Sequence, residues 1–301
     1  MKLYDLIIVG SGPAGLTAAI YAARYHLNFL VIGRIPGGTI FEAQKVCNFP
    51  TQNNITGFEL TQKLVGHFKE LGGEVEQGMV TEIRKENEEF FVKTNKTEYK
   101  IKKIILATGR EKKKLGVKGE DEFLKRGVSY CAICDADFYK GRTTAVIGGG
   151  NSAIATALLL AEYAKKVYII YRRDKFHRVE PWRLKHLEEN KKIEIIFNSD
   201  VTEIYGGKSV EGVKLINGNS LKIDGIFIET GFVPDKTFSD QLNLKTDDGC
   251  IIVDKMQRTN VGGVFAAGDI TNNFLKQVIT ACAEGAIAAS SVFDEIKLER
   301  N

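Results

Sequence analysis

The residues best suited to chemistry are Cys131-Ala132-Ile133-Cys134-Asp135, two thiols separated by two residues with a carboxyl group directly behind them. Cysteines at that spacing close a small disulfide ring reversibly, and an adjacent carboxyl group can move the proton that thiol–disulfide exchange requires. The spacing alone also fits half of a zinc site, a structural disulfide, or two buried apolar thiols. Cys47, Cys250 and Cys282 are scattered along the chain and read as packing residues. Five cysteines so arranged do not make a secreted disulfide framework, which points to a reducing cytoplasm.

Two glycine-rich stretches must position this pair. Residues 6–9 are a continuous apolar run, the pattern of a strand buried on both faces of a parallel sheet. Gly10-Ser11-Gly12-Pro13-Ala14-Gly15 follows at once, then an alanine-rich helix to about Tyr25 and a strand over 29–32. In this βαβ setting Gly10 makes the tight turn and Gly12 lets a pyrophosphate approach the backbone. Gly15 allows close packing of helix on strand, and the helix N-terminus faces the phosphates. The second strand ends Val31-Ile32-Gly33-Arg34 rather than in the acid that usually holds an adenosine ribose, so ribose recognition must differ here.

The same pattern returns. A strand over 144–147 leads into Gly148-Gly149-Gly150-Asn151-Ser152-Ala153, a helix through about Tyr163 and a strand over 167–170. Two such loops imply two dinucleotides. After the second strand, Tyr171-Arg172-Arg173 puts two guanidinium groups where an NAD site carries an acid. Arginine forks match a 2′-phosphate, so this loop is expected to take NADPH rather than NADH.

Between these units, Pro36-Gly37-Gly38-Thr39 and Asn48-Phe49-Pro50 belong to a loop that either approaches a flat ring or phosphate closely or is a surface turn. Leu60, Leu64, Phe68 and Leu71 space out an amphipathic helix over 58–71. A small antiparallel meander is expected over 74–101. A separate buried strand follows over 103–107, ending in Thr108-Gly109, a small polar pair able to sit beside a cofactor. The charged run Arg110 to Lys114 marks a domain boundary. Strands over 194–204, 210–216 and 225–228 complete an inserted domain whose exit is expected near Leu242 to Thr246. A last strand ends in Gly268-Asp269, ahead of a helix beginning near Lys276-Gln277. That helix is rich in small residues and can approach a backbone or a cofactor closely.

The bulk numbers suit this plan. A chain of 301 residues, 44% hydrophobic and 27% charged, makes about two globular domains. A net charge of +4, from 42 basic against 38 acidic residues, is too balanced for a nucleic-acid surface, and no arginine–aromatic tract suggests one. No apolar run approaches the ~18 residues of a membrane span. The first residues run into an apolar strand without the pattern of an export signal. No metal site is expected.

With these motifs in order, the sequence resembles low-molecular-weight thioredoxin reductases, of the class II pyridine nucleotide-disulfide oxidoreductases, over essentially its full length. The likeness rests on the GSGPAG loop, Gly37-Gly38-Thr39, Asn48-Phe49-Pro50, Ala107-Thr108-Gly109, Cys131 to Asp135, the GGGNSA loop, Arg172-Arg173-Asp174, Gly263 to Asp269 and Gln277. It implies an α/β protein of two Rossmann-like three-layer dinucleotide-binding domains, the second inserted into the first. Residues 1–112 and 245–301 would bind FAD, and 113–244 would bind NADPH and carry the dithiol. The flavin site would draw on Gly10, Gly12, Pro13, Ala14, Gly15, Gly38, Thr39, Asn48, Thr108, Gly109, Gly268, Asp269 and Gln277, with Asp269 on the ribitol side. The NADPH site would draw on Gly148, Gly150, Asn151, Ser152, Arg172, Arg173 and Arg178.

The resemblance also divides the labour at the dithiol. Cys134 would be the thiol nearer the flavin, Cys131 the interchange thiol, and Asp135 the general acid and base. The last assignment has separate support, because long-chain relatives use a histidine–glutamate pair and this chain has no histidine after His186. Electrons would pass from NADPH to FAD, to the Cys131–Cys134 disulfide, and on to a thioredoxin- or glutaredoxin-like protein. A homodimer is implied, as is rotation of the middle domain about hinges at Arg110 to Lys114 and Leu242 to Thr246. One departure bears on the donor. The family commonly carries Arg-Arg-Asp-x-Phe-Arg, whereas His177 stands here at the third arginine with Arg178 one place on. The alternatives are NADH or another donor, or a flavin-bearing redox sensor. A ferredoxin or flavodoxin reductase is disfavoured, since one-electron carriers need no dithiol.

Overall fold

Two strands, Leu3–Val9 and Glu98–Leu106, form the centre of the first of two units into which the chain divides. The computed structural model describes residues 3–43, 45–177 and 179–300. The first unit comprises Met1–Glu111 and Pro234–Asn301, the second Lys112–Val233.

In the first unit the strand Leu3–Val9 pairs in parallel with Phe29–Gly33 on one side and Glu98–Leu106 on the other, and Val75–Gln77 extends the parallel edge. Alternate residues point to opposite faces. Leu6, Ile8, Val31, Ile105 and Phe265 pack under the helices Pro13–Arg24 and Val278–Arg300, while Ile7, Val9, Ile32, Ile104 and Leu106 face a second layer that includes Ile83 and Phe90. Both faces are covered, which is why these strands read as unbroken apolar runs. Burying a side chain such as Phe265 contributes about 1.5–3 kcal/mol.

The structure departs from the sequence reading at three places here. The expected meander and the expected buried strand share one element, Glu98–Leu106. Its first half pairs antiparallel with Glu89–Thr94, and its second half pairs in parallel with Val264–Ala266. The change of partner halfway along explains why the alternating pattern gives way to a continuous apolar one. Val75–Gln77, expected in the meander, instead joins the parallel edge. The return crossing lies at 233/234 rather than 244/245, and the outward crossing at 111/112 rather than 112/113. Phe238, Leu242 and Leu244 are buried in the same cluster as Ile7 and Val9, so the segment expected as a second hinge is core of the first unit.

The second unit has a five-stranded parallel sheet in the order Ile193–Ile196, Lys166–Ile170, Thr143–Ile147, Gly225–Ile228, Val128–Ser129. One face is covered by the helix Asn151–Tyr163 through Ile154, Ala157 and Leu160. The other packs on the antiparallel strands Val201–Gly206, Val210–Leu215 and Ser220–Lys222 through Ile204, Val210 and Val213. Each unit is thus a Rossmann-like three-layer α/β arrangement. Pro181–Glu189, a helix not expected from the sequence, starts on a proline whose fixed φ suits a first helical turn.

Candidate active site

The dithiol sits where the short strand Val128–Ser129 ends and the helical turn Ala132–Asp135 begins. Cys131 and Cys134 are joined as a disulfide with Cα atoms 5.4 Å apart. Ala132, Ala136 and Tyr139 bury the inner side of the turn in the same cluster as Ile154 and Ala157. This anchorage leaves Cys134 exposed and Cys131 and Asp135 half-buried. Ser129, buried in the strand, donates its hydroxyl to Asp135 Oδ2 at 2.6 Å and accepts the Cys131 N–H at 3.0 Å. Burial pushes the Tyr139 phenol up, and the Asp135 charge adds to the shift.

Behind this turn stands a second polar group. Glu120, only 3% exposed, accepts the backbone N–H groups of Leu115 at 2.7 Å and Gly116 at 2.6 Å and the hydroxyl of Tyr130. Lys112 Nζ donates to the Tyr130 carbonyl. The first residues of the second unit are thereby tied to the residue next to Cys131. Neither Ser129 nor Glu120 stands out in the sequence, where a lone serine and one acid of Gly-Glu-Asp-Glu look like ordinary surface residues. Among the described residues no group of three or more His, Cys, Asp and Glu is placed to hold a metal ion.

The first glycine loop is set by contact. A Cβ on Gly10 would stand 2.2 Å from Ala107 O, and one on Gly15 would stand 1.9 Å from Gly10 O. Gly12 has room, its nearest neighbour being Gly37 O at 3.9 Å, and a Cβ on Gly38 would be 3.4 Å from Gly12 Cα. The helix Pro13–Arg24 has no side-chain cap at its N-terminus, leaving its first N–H groups to a ligand. Gly33 stands where an acid is usual because a side chain there would strike Ser11 Oγ at 2.1 Å.

Residues from the far end of the chain join this loop. A Cβ on Gly268 would meet Ala14 Cβ at 2.9 Å, and one on Gly285 would meet Ala14 O at 2.1 Å. Asn48 Nδ2 donates to Gln277 Oε1 at 2.9 Å. Thr108 Oγ1, beside Gly10, is buried with no hydrogen-bond partner among the described residues. Gly109 has open space around it, and Thr39 is exposed beside Gly38. Burial pushes the Asp269 carboxyl up, against the charges of Lys276 and Arg110 and with that of Glu284. An orphaned hydroxyl, an uncapped helix and an open glycine fit a phosphate-bearing dinucleotide.

Glu284 organises this region, although the sequence reading passed over it. The carboxylate, 4% exposed, accepts the Gly268 N–H at 2.7 Å, the Thr271 hydroxyl at 2.9 Å and the Asn273 amide. Of the remaining cysteines, burial pushes the Cys282 thiol up, as suits a packing residue. Cys47, expected to pack, is exposed and donates to Asn54 Oδ1 at 3.4 Å.

In the second unit a Cβ on Gly148 would stand 2.2 Å from Glu229 O, while Gly150 has nothing within 4 Å. The helix Asn151–Tyr163 also lacks a side-chain cap. Asn151 Oδ1 accepts the Glu180 N–H at 3.0 Å, folding the segment after Arg173 back onto the loop. Ser152, Arg172 and Arg173 are exposed, and neither arginine is ion-paired among the described residues. His177 Nε2 lies 4.0 Å from Asp174. Arg178 lies outside the described residues. These features fit a second dinucleotide.

Among the described residues no helix is long and apolar enough to cross a membrane. The chain matches the pyridine nucleotide-disulphide oxidoreductase family over residues 4–285. It is 41% identical to the thioredoxin reductase of Bacillus subtilis, covering 97% of this chain and 94% of that one. It is 40% identical to the thioredoxin reductase of Listeria monocytogenes, covering 98% and 96%. A crystal structure of Lactococcus lactis thioredoxin reductase superposes with a TM-score of 0.93 at 37% identity, over 98% of this chain and 99% of that one.

Proposed function

The chain belongs to the pyridine nucleotide-disulphide oxidoreductase family, and from that premise we propose that it is an FAD-dependent, NADPH-linked thioredoxin-disulfide reductase. The observation that carries this reading is the Cys131–Cys134 disulfide, with Asp135 hydrogen-bonded beside it, in the same unit as an uncapped glycine loop and the exposed Arg172 and Arg173. The net reaction is NADPH, a proton and a partner disulfide giving NADP⁺ and a partner dithiol. Bound FAD supplies the two-electron relay between the nicotinamide and the protein disulfide.

The chain's own residues do the rest. Gly10, Gly12, Pro13, Ala14, Gly15, Gly38, Thr39, Asn48, Thr108, Gly109, Gly268, Asp269 and Gln277 hold the flavin, with Gly12 admitting the pyrophosphate and the helix N-terminus facing it. Gly148, Gly150, Asn151 and Ser152 hold the nicotinamide dinucleotide, and Arg172, Arg173 and Arg178 take its 2′-phosphate. Once the pair is reduced, the Cys131 thiolate attacks one sulfur of the partner disulfide and expels the other as a thiolate. The Cys134 thiolate then attacks Cys131, restoring the protein disulfide and releasing the second partner thiol. Asp135 carries protons between the pair and the leaving thiolates. A thioredoxin- or glutaredoxin-like protein is the partner, and the enzyme works in the cytoplasm as a homodimer.

Cys131→Ser tests the assignment under anaerobic conditions. NADPH-dependent reduction of thioredoxin-type disulfides is expected to disappear, and undiminished reduction would refute the mechanism.

A further inference from the structure

Asp135 must keep its place while it gains and loses a proton, and the group that holds it is Ser129. The strand carrying Ser129 is locked in register, Ser129 opposite Phe227 in the parallel sheet, and the serine is 5% exposed. Its Oγ has three neighbours: Asp135 Oδ2 at 2.6 Å, the Cys131 N–H at 3.0 Å and the Cys131 carbonyl at 3.3 Å. A hydroxyl offers one hydrogen and two lone pairs. With Asp135 ionised, the hydrogen points to Oδ2 and a lone pair takes the Cys131 N–H. With Asp135 protonated, the acid O–H turns to the second lone pair, and the serine hydrogen swings to the Cys131 carbonyl. The serine hydrogen has an acceptor within reach in both states without movement of a heavy atom.

Resting on the reading of Asp135 as proton carrier, we infer that Ser129 is its positioning residue, a hydroxyl rotor that, seated on the Cys131 N–H, fixes the carboxyl group through the proton-transfer cycle. Alanine would leave a carboxyl oxygen and the Cys131 N–H without this partner; threonine would keep it. Tyr139 feels the Asp135 charge, with Arg142 and Asp224 acting on it in opposite senses. Its raised phenol stays neutral across the working range.

The test measures thiol–disulfide exchange from the pre-reduced chain to an oxidised thioredoxin-type protein. Exchange is stopped with acid and the thiols are then alkylated, so neither flavin loading nor nicotinamide enters the rate. Asp135→Asn is expected to slow exchange by about 100-fold, the low end for a lost general acid–base group. Ser129→Ala should slow it about tenfold. Ser129→Thr should fall within about twofold of the parent, since it keeps the hydroxyl. The double variant Ser129→Ala/Asp135→Asn should be no slower than Asp135→Asn, because Ser129 acts through Asp135. A double variant slower by the full factor of Ser129→Ala would overturn the inference and leave the role of Asp135 standing. So would a Ser129→Thr loss as large as that of Ser129→Ala, with a lowered thermal midpoint in both. An Asp135→Asn variant as fast as the parent would remove the proton-carrier reading itself, and the inference with it.

Discussion

Replacing Glu284 by alanine removes the acceptor on which the turn after the last sheet strand of the first unit hangs. Three donors lose it, but not equally. The Thr271 hydroxyl has a second acceptor in the Gly268 carbonyl at 2.9 Å, and Asn273 is partly exposed, so both find replacements. The Gly268 N–H is buried and has no alternative acceptor in its own turn. An orphaned buried donor costs about 1–3 kcal/mol, and a hydrogen bond to a charged group is worth about 1.5–3 kcal/mol. Relief of a buried carboxylate offsets part of that, leaving a net loss of about 2–3 kcal/mol. For a unit of this size each kcal/mol lowers Tm by about 2–4 °C, so a fall of roughly 4–12 °C is expected. Glutamine, which keeps one oxygen for Gly268, should lose less than half as much. Calorimetry on protein stripped of flavin reads the fold alone, and flavin retained on purification reads the site. If alanine lowers Tm by less than a degree, or glutamine proves as harmful as alanine, the account of this turn is wrong.

Gly15→Ala would place a Cβ 1.9 Å from Gly10 O and should abolish flavin retention, whereas Gly150→Ala meets nothing within 4 Å and should fold normally. Equilibrium titration should then show NADPH affinity for Gly150→Ala down about tenfold, since the new methyl stands in the phosphate's approach; an unchanged affinity would place the dinucleotide elsewhere. Arg172→Gln and Arg173→Gln should each raise KM for NADPH by about 10- to 100-fold with kcat and the NADH parameters unmoved, and equal effects on both donors would contradict a 2′-phosphate site. For pH, burial raises the folded Asp269 carboxyl above its ordinary value of 3.8. Its contribution to stability is therefore full below that value and is lost as pH rises through the folded value. Asp269→Asn does not titrate, so urea unfolding from pH ~4 to ~7 should show the variant gaining on the parent as pH rises; a constant difference would refute the shift.

Much of the architecture is legible in local pattern. The apolar runs at 6–9 and 144–147, each followed by a glycine loop and an alanine-rich helix, predict two βαβ units, and the structure has both. Glycine is required at Gly15 by the Gly10 carbonyl, and a contact that close in sequence leaves its mark on residue type, whereas Gly10 and Gly148 answer to Ala107 and Glu229 from strand ends remote in the chain. The limits appear where partners are remote. Glu98–Leu106 defies a single period because its two halves border different strands. Leu242 and Leu244 resemble a boundary segment, yet they complete a core begun by residues near the start of the chain.

The Cys-x-x-Cys spacing, the two glycine loops and the arginine pair after the second loop are legible in the chain alone, because each is a pattern of residue types a few positions apart. Which ordinary polar residues matter is visible only once the chain is folded. A buried Glu120 or Glu284 is spelled like any surface acid, and Ser129 like any serine. What separates them is the set of donors and acceptors that distant segments bring within hydrogen-bond reach, and burial is what makes those partners costly to lose.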